Sequence, residues 1–108
     1  EKSYEQKYQE VKEYAEQNNL EFDGKFLYAF REHDKFGRGM FNKATRYQQG
    51  NYYSDWHCDL RPNEIVSFGL GIYPEGNTKV KVSVEDCGVA VEDRDDNKAR
   101  VWGFTVLS

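Results

Sequence analysis

Two cysteines, two prolines and a single methionine are all that this 108-residue chain contains of those types. Cys58 and Cys87 fall far short of the cysteine density of a disulfide scaffold. No stretch approaches the ~20 uninterrupted apolar residues of a membrane-spanning helix, so no membrane span is expected. No Asn-x-Ser/Thr acceptor is present, which removes one positive sign of secretion and leaves the compartment open. There is no internal repeat and no low-complexity run. Positive charge is not in excess: the net charge is −4, which argues against a surface built throughout for nucleic acid. The first residue is Glu1 and the only methionine is Met40, so a trimmed or processed chain is expected, and localisation is not readable.

What the chain does have is aromatic residues, 16% of the total, set in alternating runs. Its length suits one domain over residues 1–108, with a single core. Ser3 with Gln6 three residues on is a capping-box pattern. Tyr4, Tyr8, Val11 and Ala15 follow on one helical face, and Asn18 and Asn19 suit a helix exit. A helix over 1–19 is therefore expected, with Tyr8 and Val11 in the core.

Beyond residue 19 the period becomes 2. Phe26, Tyr28 and Phe30 share one strand face, and Tyr52, Ser54, Trp56, Cys58 and Leu60 share another. Val66, Phe68, Leu70 and Ile72 form a third set. Pro74-Glu75-Gly76-Asn77 is a turn, after which Val80, Val82 and Val84 alternate with Lys79, Lys81 and Ser83. Asp86-Cys87-Gly88 reads as a bend, and Lys98 to Leu107 as one final strand carrying Trp102, Phe104 and Val106. Nothing supplies the crossover helices that a parallel sheet needs. The expected fold is α+β and mainly β. An N-terminal helix precedes an antiparallel sandwich or partly open barrel of about six or seven strands over 20–108. Its core should include Phe30, Trp56, Leu60, Phe68, Leu70, Val82, Val84 and Phe104.

Within residues 52–77, Tyr52-Tyr53-Ser54 and Leu70-Gly71-Ile72-Tyr73-Pro74-Glu75-Gly76-Asn77 stand in an order that resembles the MATH domain, a TRAF-like β-sandwich. The family usually has Trp where this chain has Phe68, and a complete domain is longer than the chain beyond Asp23. The resemblance implies a sandwich that recognises short peptides, and it carries no catalytic residue across.

Four groupings bear on chemistry. Asp55, His57 and Asp59 project from one strand face at ~6–7 Å per step, a spacing that suits metal ligation or a carboxylate-oriented histidine. An ordinary solvated strand face explains them more simply, because His33 is the only other histidine. Strand parity puts Cys58 inward and Cys87 outward unless the bend at 86–88 turns it, so two reduced thiols are expected. Residues 92–97 lack the glycine and distant glutamate of a calcium loop and read as a hairpin tip. Residues 25–46 carry Lys25, Arg31, Lys35, Arg38, Lys43 and Arg46 against Glu32 and Asp34, a +4 island in an acidic chain.

That island also bears Phe26, Tyr28, Phe30, Phe36 and Phe41. Tyr47, Tyr52, Tyr53 and Tyr73 gather near turns and strand ends, where their amphipathic rings suit an interface. The expected function is non-enzymatic, with no cofactor and no metal. It is a protein-interaction module or inhibitor that holds a protein or peptide partner through Arg38, Tyr47, Tyr52, Tyr53 and Tyr73. The alternative is single-stranded nucleic-acid binding by Lys35, Arg38, Lys43 and Arg46, with Phe36, Phe41 or Tyr47 as stacking platforms. A metal-dependent enzyme built on Asp55, His57 and Asp59 is a third reading.

Overall fold

The computed structural model describes residues 3–39, 46–54, 70–87, 90–91 and 99–107. Helix α1 runs Tyr4–Asn18. The Gln6 amide donates to Ser3 Oγ at 3.2 Å and the Ser3 amide donates to Gln6 Oε1 at 2.9 Å, closing the expected capping box. Asn19 ends the helix in the left-handed conformation at φ 55°. The buried face is Val11, Tyr14 and Ala15. Tyr8 is half-buried on the Phe22 ring at 5.3 Å, and Tyr4 is 51% exposed. The predicted stripe thus holds at its centre and fails at its start. Tyr14, three residues on from Val11, joins Val11 and Ala15 on the buried face.

Eight strands are found among the described residues: β1 (Glu21–Phe22), β2 (Phe26–Arg31), β3 (Tyr52–Ser54), β4 (Leu70–Ile72), β5 (Thr78–Ser83), β6 (Ala90–Val91), β7 (Ala99–Val101) and β8 (Gly103–Val106). Five form an open sheet in the order β1-β2-β5-β8-β3, and three form a second in the order β4-β7-β6. Every pairing is antiparallel. One helix leading a mainly β, antiparallel domain is the expected fold class.

Register fixes which side chains meet. Leu27 faces Val82 and Ala29 faces Val80 across β2 and β5, and Val80 faces Val106 on β8. All five are buried, and they join Val11, Tyr14, Ile72, Ala99, Val101 and Phe104 in one core. The inner face of β2 is therefore Leu27 and Ala29. Phe26, Tyr28 and Phe30 point the other way and are half-exposed, so Phe30 is not a core residue. Both faces of Phe26-Leu27-Tyr28-Ala29-Phe30 are apolar, and parity alone does not choose between them. The strand across the way does, since its lysines must share the outer face. Leu70 is half-buried and packed against the core rather than within it, whereas Val82, Val84 and Phe104 are buried as expected. Trp56, Leu60 and Phe68 lie outside the described residues.

The final run is not one strand. It breaks at Trp102, whose amide donates to the Asp86 carbonyl at 2.8 Å, and the chain passes there from the small sheet to the large one. Parity shifts at the corner. Ala99, Arg100 and Val101 are all buried, and Trp102 is 36% exposed. A second bend, tied by the Asp86 amide to the Ser83 carbonyl and the Cys87 amide to the Val84 carbonyl, turns Cys87 into the core at 0% exposure. This is the inward alternative that the bend left open, and strand parity does not carry through it. Cys58 lies outside the described residues.

Candidate binding face

Cross-strand partners carry their side chains on the same face of a sheet. The register therefore lays one row across all five strands: Glu21, Tyr28, Lys81, Thr105, Tyr52. A second row is Tyr73, Phe30, Lys79. It begins with an isolated bridge in which the Phe30 amide donates to the Tyr73 carbonyl at 3.0 Å and the Tyr73 amide donates back at 2.8 Å. Phe26 opposite Ser83 starts a third. The outer face of the sheet thus bears five aromatic rings and two lysines.

The lysines are not splayed into solvent. Lys81 Nζ sits 4.6 Å from the centroid of Phe26, and Lys79 Nζ sits 5.4 Å from that of Tyr28. Each stem crosses diagonally from β5 to β2 and covers apolar surface while its ammonium rests on a ring. Half-burial of Phe26, Tyr28 and Phe30 follows from this cover and from their neighbours. The Tyr28 hydroxyl donates to Asp23 Oδ2 at 3.1 Å, which pushes the phenol up. Asp23 is held below the usual carboxylate range, chiefly by the amides of Phe26 and Lys25, which donate to its Oδ1.

At the other end of the row Tyr52 is 55% exposed, and its hydroxyl donates to Asp86 Oδ2 at 2.8 Å. Partial desolvation, then this hydrogen bond, pushes the phenol up to about 12. The hydroxyl end of the ring lies over Gly103, where a Cβ would meet the Tyr52 Cζ and hydroxyl and come 2.8 Å from the Tyr53 carbonyl oxygen. Gly103→Ala should displace Tyr52 from Asp86. The Tyr52 phenol should then fall toward its ordinary value near 10, which site-specific ¹³Cζ tyrosine NMR reads directly. An unchanged value would show that the ring does not need that glycine.

The five residues singled out from sequence divide. Tyr52 and Tyr73 lie on the outer face. Tyr47 does not: it is 6% exposed, stacked on His33 at 4.8 Å and 11°, edge-on to Tyr53 at 4.8 Å and tilted against Phe104. The expectation that Tyr47 offers a ring to a partner is corrected, because its face is already filled by His33. Tyr53 faces inward opposite Phe104. Its hydroxyl accepts from the Gln48 amide at 2.7 Å and donates to the Arg46 carbonyl at 3.2 Å, so it closes the 46–50 turn.

Arg38 stands apart, on the loop that follows β2. Its Nε meets Asp34 Oδ2 at 2.9 Å, and its guanidinium lies 5.1 Å from the Phe36 centroid, with Lys35 at 5.2 Å. The loop is pinned by the Phe36 and Arg38 amides donating to Asp34 Oδ1, and by Gly37 at φ 80°. Phe36 is 49% exposed. Lys43 and Phe41 lie outside the described residues, as do Asp55, His57 and Asp59.

Beneath the outer face, Arg31 is wedged between Tyr47 and Phe104, its Cζ 4.9 and 4.8 Å from the two centroids. Desolvation lowers its pKa. Its Nε donates to His33 Nε2 at 3.0 Å and its Nη1 donates to the Gly71 carbonyl. His33 is pushed down to about 4, first by burial and then by the Arg31 charge. An imidazole that accepts at Nε2 is neutral and carries its proton on Nδ1.

Strand parity groups Phe26, Tyr28 and Phe30 on β2 and Lys79 and Lys81 on β5. Only the pairing of the two strands joins them, since a valine face opposite Leu27 and Ala29 obliges the lysines to meet the rings. Among the described residues no group of His, Cys, Asp and Glu is arranged to hold a metal ion, and no helix is long and apolar enough to cross a membrane. No protein-family model, curated protein or solved structure matches the chain.

Proposed function

We propose that this chain is a non-enzymatic interaction module or inhibitor that holds a protein or peptide partner on the outer face of its five-stranded sheet. The observation that carries the reading is the set of five rings with two ring-seated lysines on one face. Aromatic rings on rigid strands lose little conformational entropy on binding, and they are the residue types that dominate interface energetics. The resemblance of residues 52–77 to MATH domains points to the same class of partner. His33 is not placed to act as a general base, because its acceptor nitrogen is taken by Arg31 away from solvent.

Nucleic-acid binding is the weaker reading. A base stacking on Phe36 would have to displace the Lys35 and Arg38 cations near that ring, at about 0.5–1 kcal/mol each. Tyr47, the third stacking platform of that reading, is buried.

Affinity capture from the native lysate after nuclease treatment tests the proposal. The expected result is one stoichiometric protein that is retained by the wild type and by Arg38→Ala, and lost with Tyr28→Ala or Tyr52→Ala. Recovery of nucleic acid alone, or of a protein indifferent to both tyrosines, would overturn it.

A further inference from the structure

We infer, resting on that reading, that the Tyr52 end of the outer face takes an arginine side chain of the protein partner, stacked on the Tyr52 ring and paired with Asp86. The ring is 55% exposed, and its hydroxyl is tied to Asp86 Oδ2 at 2.8 Å. Gly103 lets the hydroxyl end lie against the backbone of β8, which leaves the outer side of the ring to solvent. The carboxylate is held as firmly. The Asp86 amide donates to the Ser83 carbonyl at 3.1 Å and to Ser83 Oγ at 3.3 Å, and the Asp86 carbonyl accepts from Trp102. Its Oδ2 is taken by Tyr52, while Oδ1 has no partner among the described residues. A ring face beside a spare acceptor oxygen suits a guanidinium, which is planar, stacks on aromatic rings and donates from its edge. An ammonium has no plane to lay on the ring.

The charges around this corner favour a cation from outside. Glu85, exposed and next to Asp86 in the chain, adds a second acid. Lys7 reaches the corner from α1, and its Nζ donates to the Glu85 carbonyl at 3.1 Å. Lys81 shares the row of Tyr52 but stands two strands away through Thr105, on the order of 10 Å, and its ammonium turns the other way onto Phe26. At that range its repulsion is largely screened at physiological salt. Lys79 is a further step along β5, toward the opposite end of the strands, and Lys25 is on the far side of β5 at the start of β2. The other acids of the face are remote: Glu21 and Asp23 at the β1 edge, and Glu32 at the end of β2 that pairs with Thr78. Ring and carboxylate are both in place before binding, so little side-chain freedom is lost when the guanidinium arrives.

The test titrates the isotope-labelled chain with three capped tripeptides, acetyl-Gly-Arg-Gly-amide and its lysine and citrulline counterparts, followed by NMR. Citrulline keeps the planar shape of arginine without its charge. The arginine peptide should give saturable shifts at the Tyr52 ring and at the Asp86 and Gly103 amides. It should bind about tenfold tighter than the citrulline peptide and about threefold tighter than the lysine peptide. Its affinity should fall about tenfold in Asp86→Asn, whose side-chain oxygen still accepts from Tyr52, and hold in Glu21→Gln at the other end of the row. Near-UV circular dichroism of Asp86→Asn should match the wild type. No saturable shift at Tyr52, equal binding of the arginine and citrulline peptides, or insensitivity to Asp86→Asn would overturn the inference. Such a failure, with the tyrosine-dependent capture of a protein still observed, rejects the arginine site and leaves the interaction reading in place.

Discussion

Phe104→Ala should lower the unfolding free energy by about 3–5 kcal/mol, the range for removing a large buried aromatic. Phe104 is 1% exposed and sits among Tyr47, Tyr53 and Arg31. Tyr47 lies at 5.7 Å, Tyr53 at 6.2 Å, and the Arg31 guanidinium at 4.8 Å over its ring. Truncation leaves a cavity and removes one of the two aromatic walls that hold Arg31 away from water. A buried cation stripped of part of its surroundings adds to the cost. Domains of this size hold roughly 5–15 kcal/mol in total, so the variant should unfold at a far lower urea concentration. Tyr52→Ala is the contrast, since its ring is 55% exposed, and it should cost less than about 1 kcal/mol. Equal losses for the two would mean that the Arg31 cluster is not the centre of the inner core.

His33 sets the second large effect. Its folded value is about 4 against 6.5 for the free side chain, so the unfolded chain takes up a proton first as the pH falls. The resulting stability is fully present above pH 6.5 and declines as the pH drops. It levels off below pH 4, with about 2 kcal/mol lost by pH 5 and about 3 kcal/mol in all. His33→Gln keeps an acceptor for Arg31 Nε and does not titrate. The variant should therefore lose this part of the acid sensitivity while remaining close to the wild type at pH 7. Urea unfolding at intervals from pH 7 to pH 4 checks it. Parallel stability curves for the two proteins would contradict the neutral, buried imidazole.

Local patterns carried much of this architecture. Ser3 and Gln6 announce their capping box within four residues, and Val80-Lys81-Val82 announces a two-faced strand. Both are decided by neighbours in the chain. What was not legible depended on partners distant in sequence. Phe26, Tyr28 and Phe30 look like core until β5 is placed beside β2. Tyr47 looks like a turn residue until His33, Tyr53 and Phe104 close around it. Lys98 to Leu107 looks continuous because nothing within it reveals that Asp86 fastens Trp102 at a corner. The candidate site was half legible for the same reason. The outward placement of Tyr52 and Tyr73 agrees with their position near turns and strand ends, while the lysine–ring pairs needed the register.

If the outer face of β2, β5, β8 and β3 is the binding surface, amide chemical-shift mapping of the labelled chain with its captured partner should show it. Changes should concentrate at Phe26, Tyr28, Phe30, Lys79, Lys81, Thr105 and Tyr52, with α1 and the 34–38 loop undisturbed. Changes confined to α1, or centred on Phe36 and Arg38 with the sheet face silent, would contradict it.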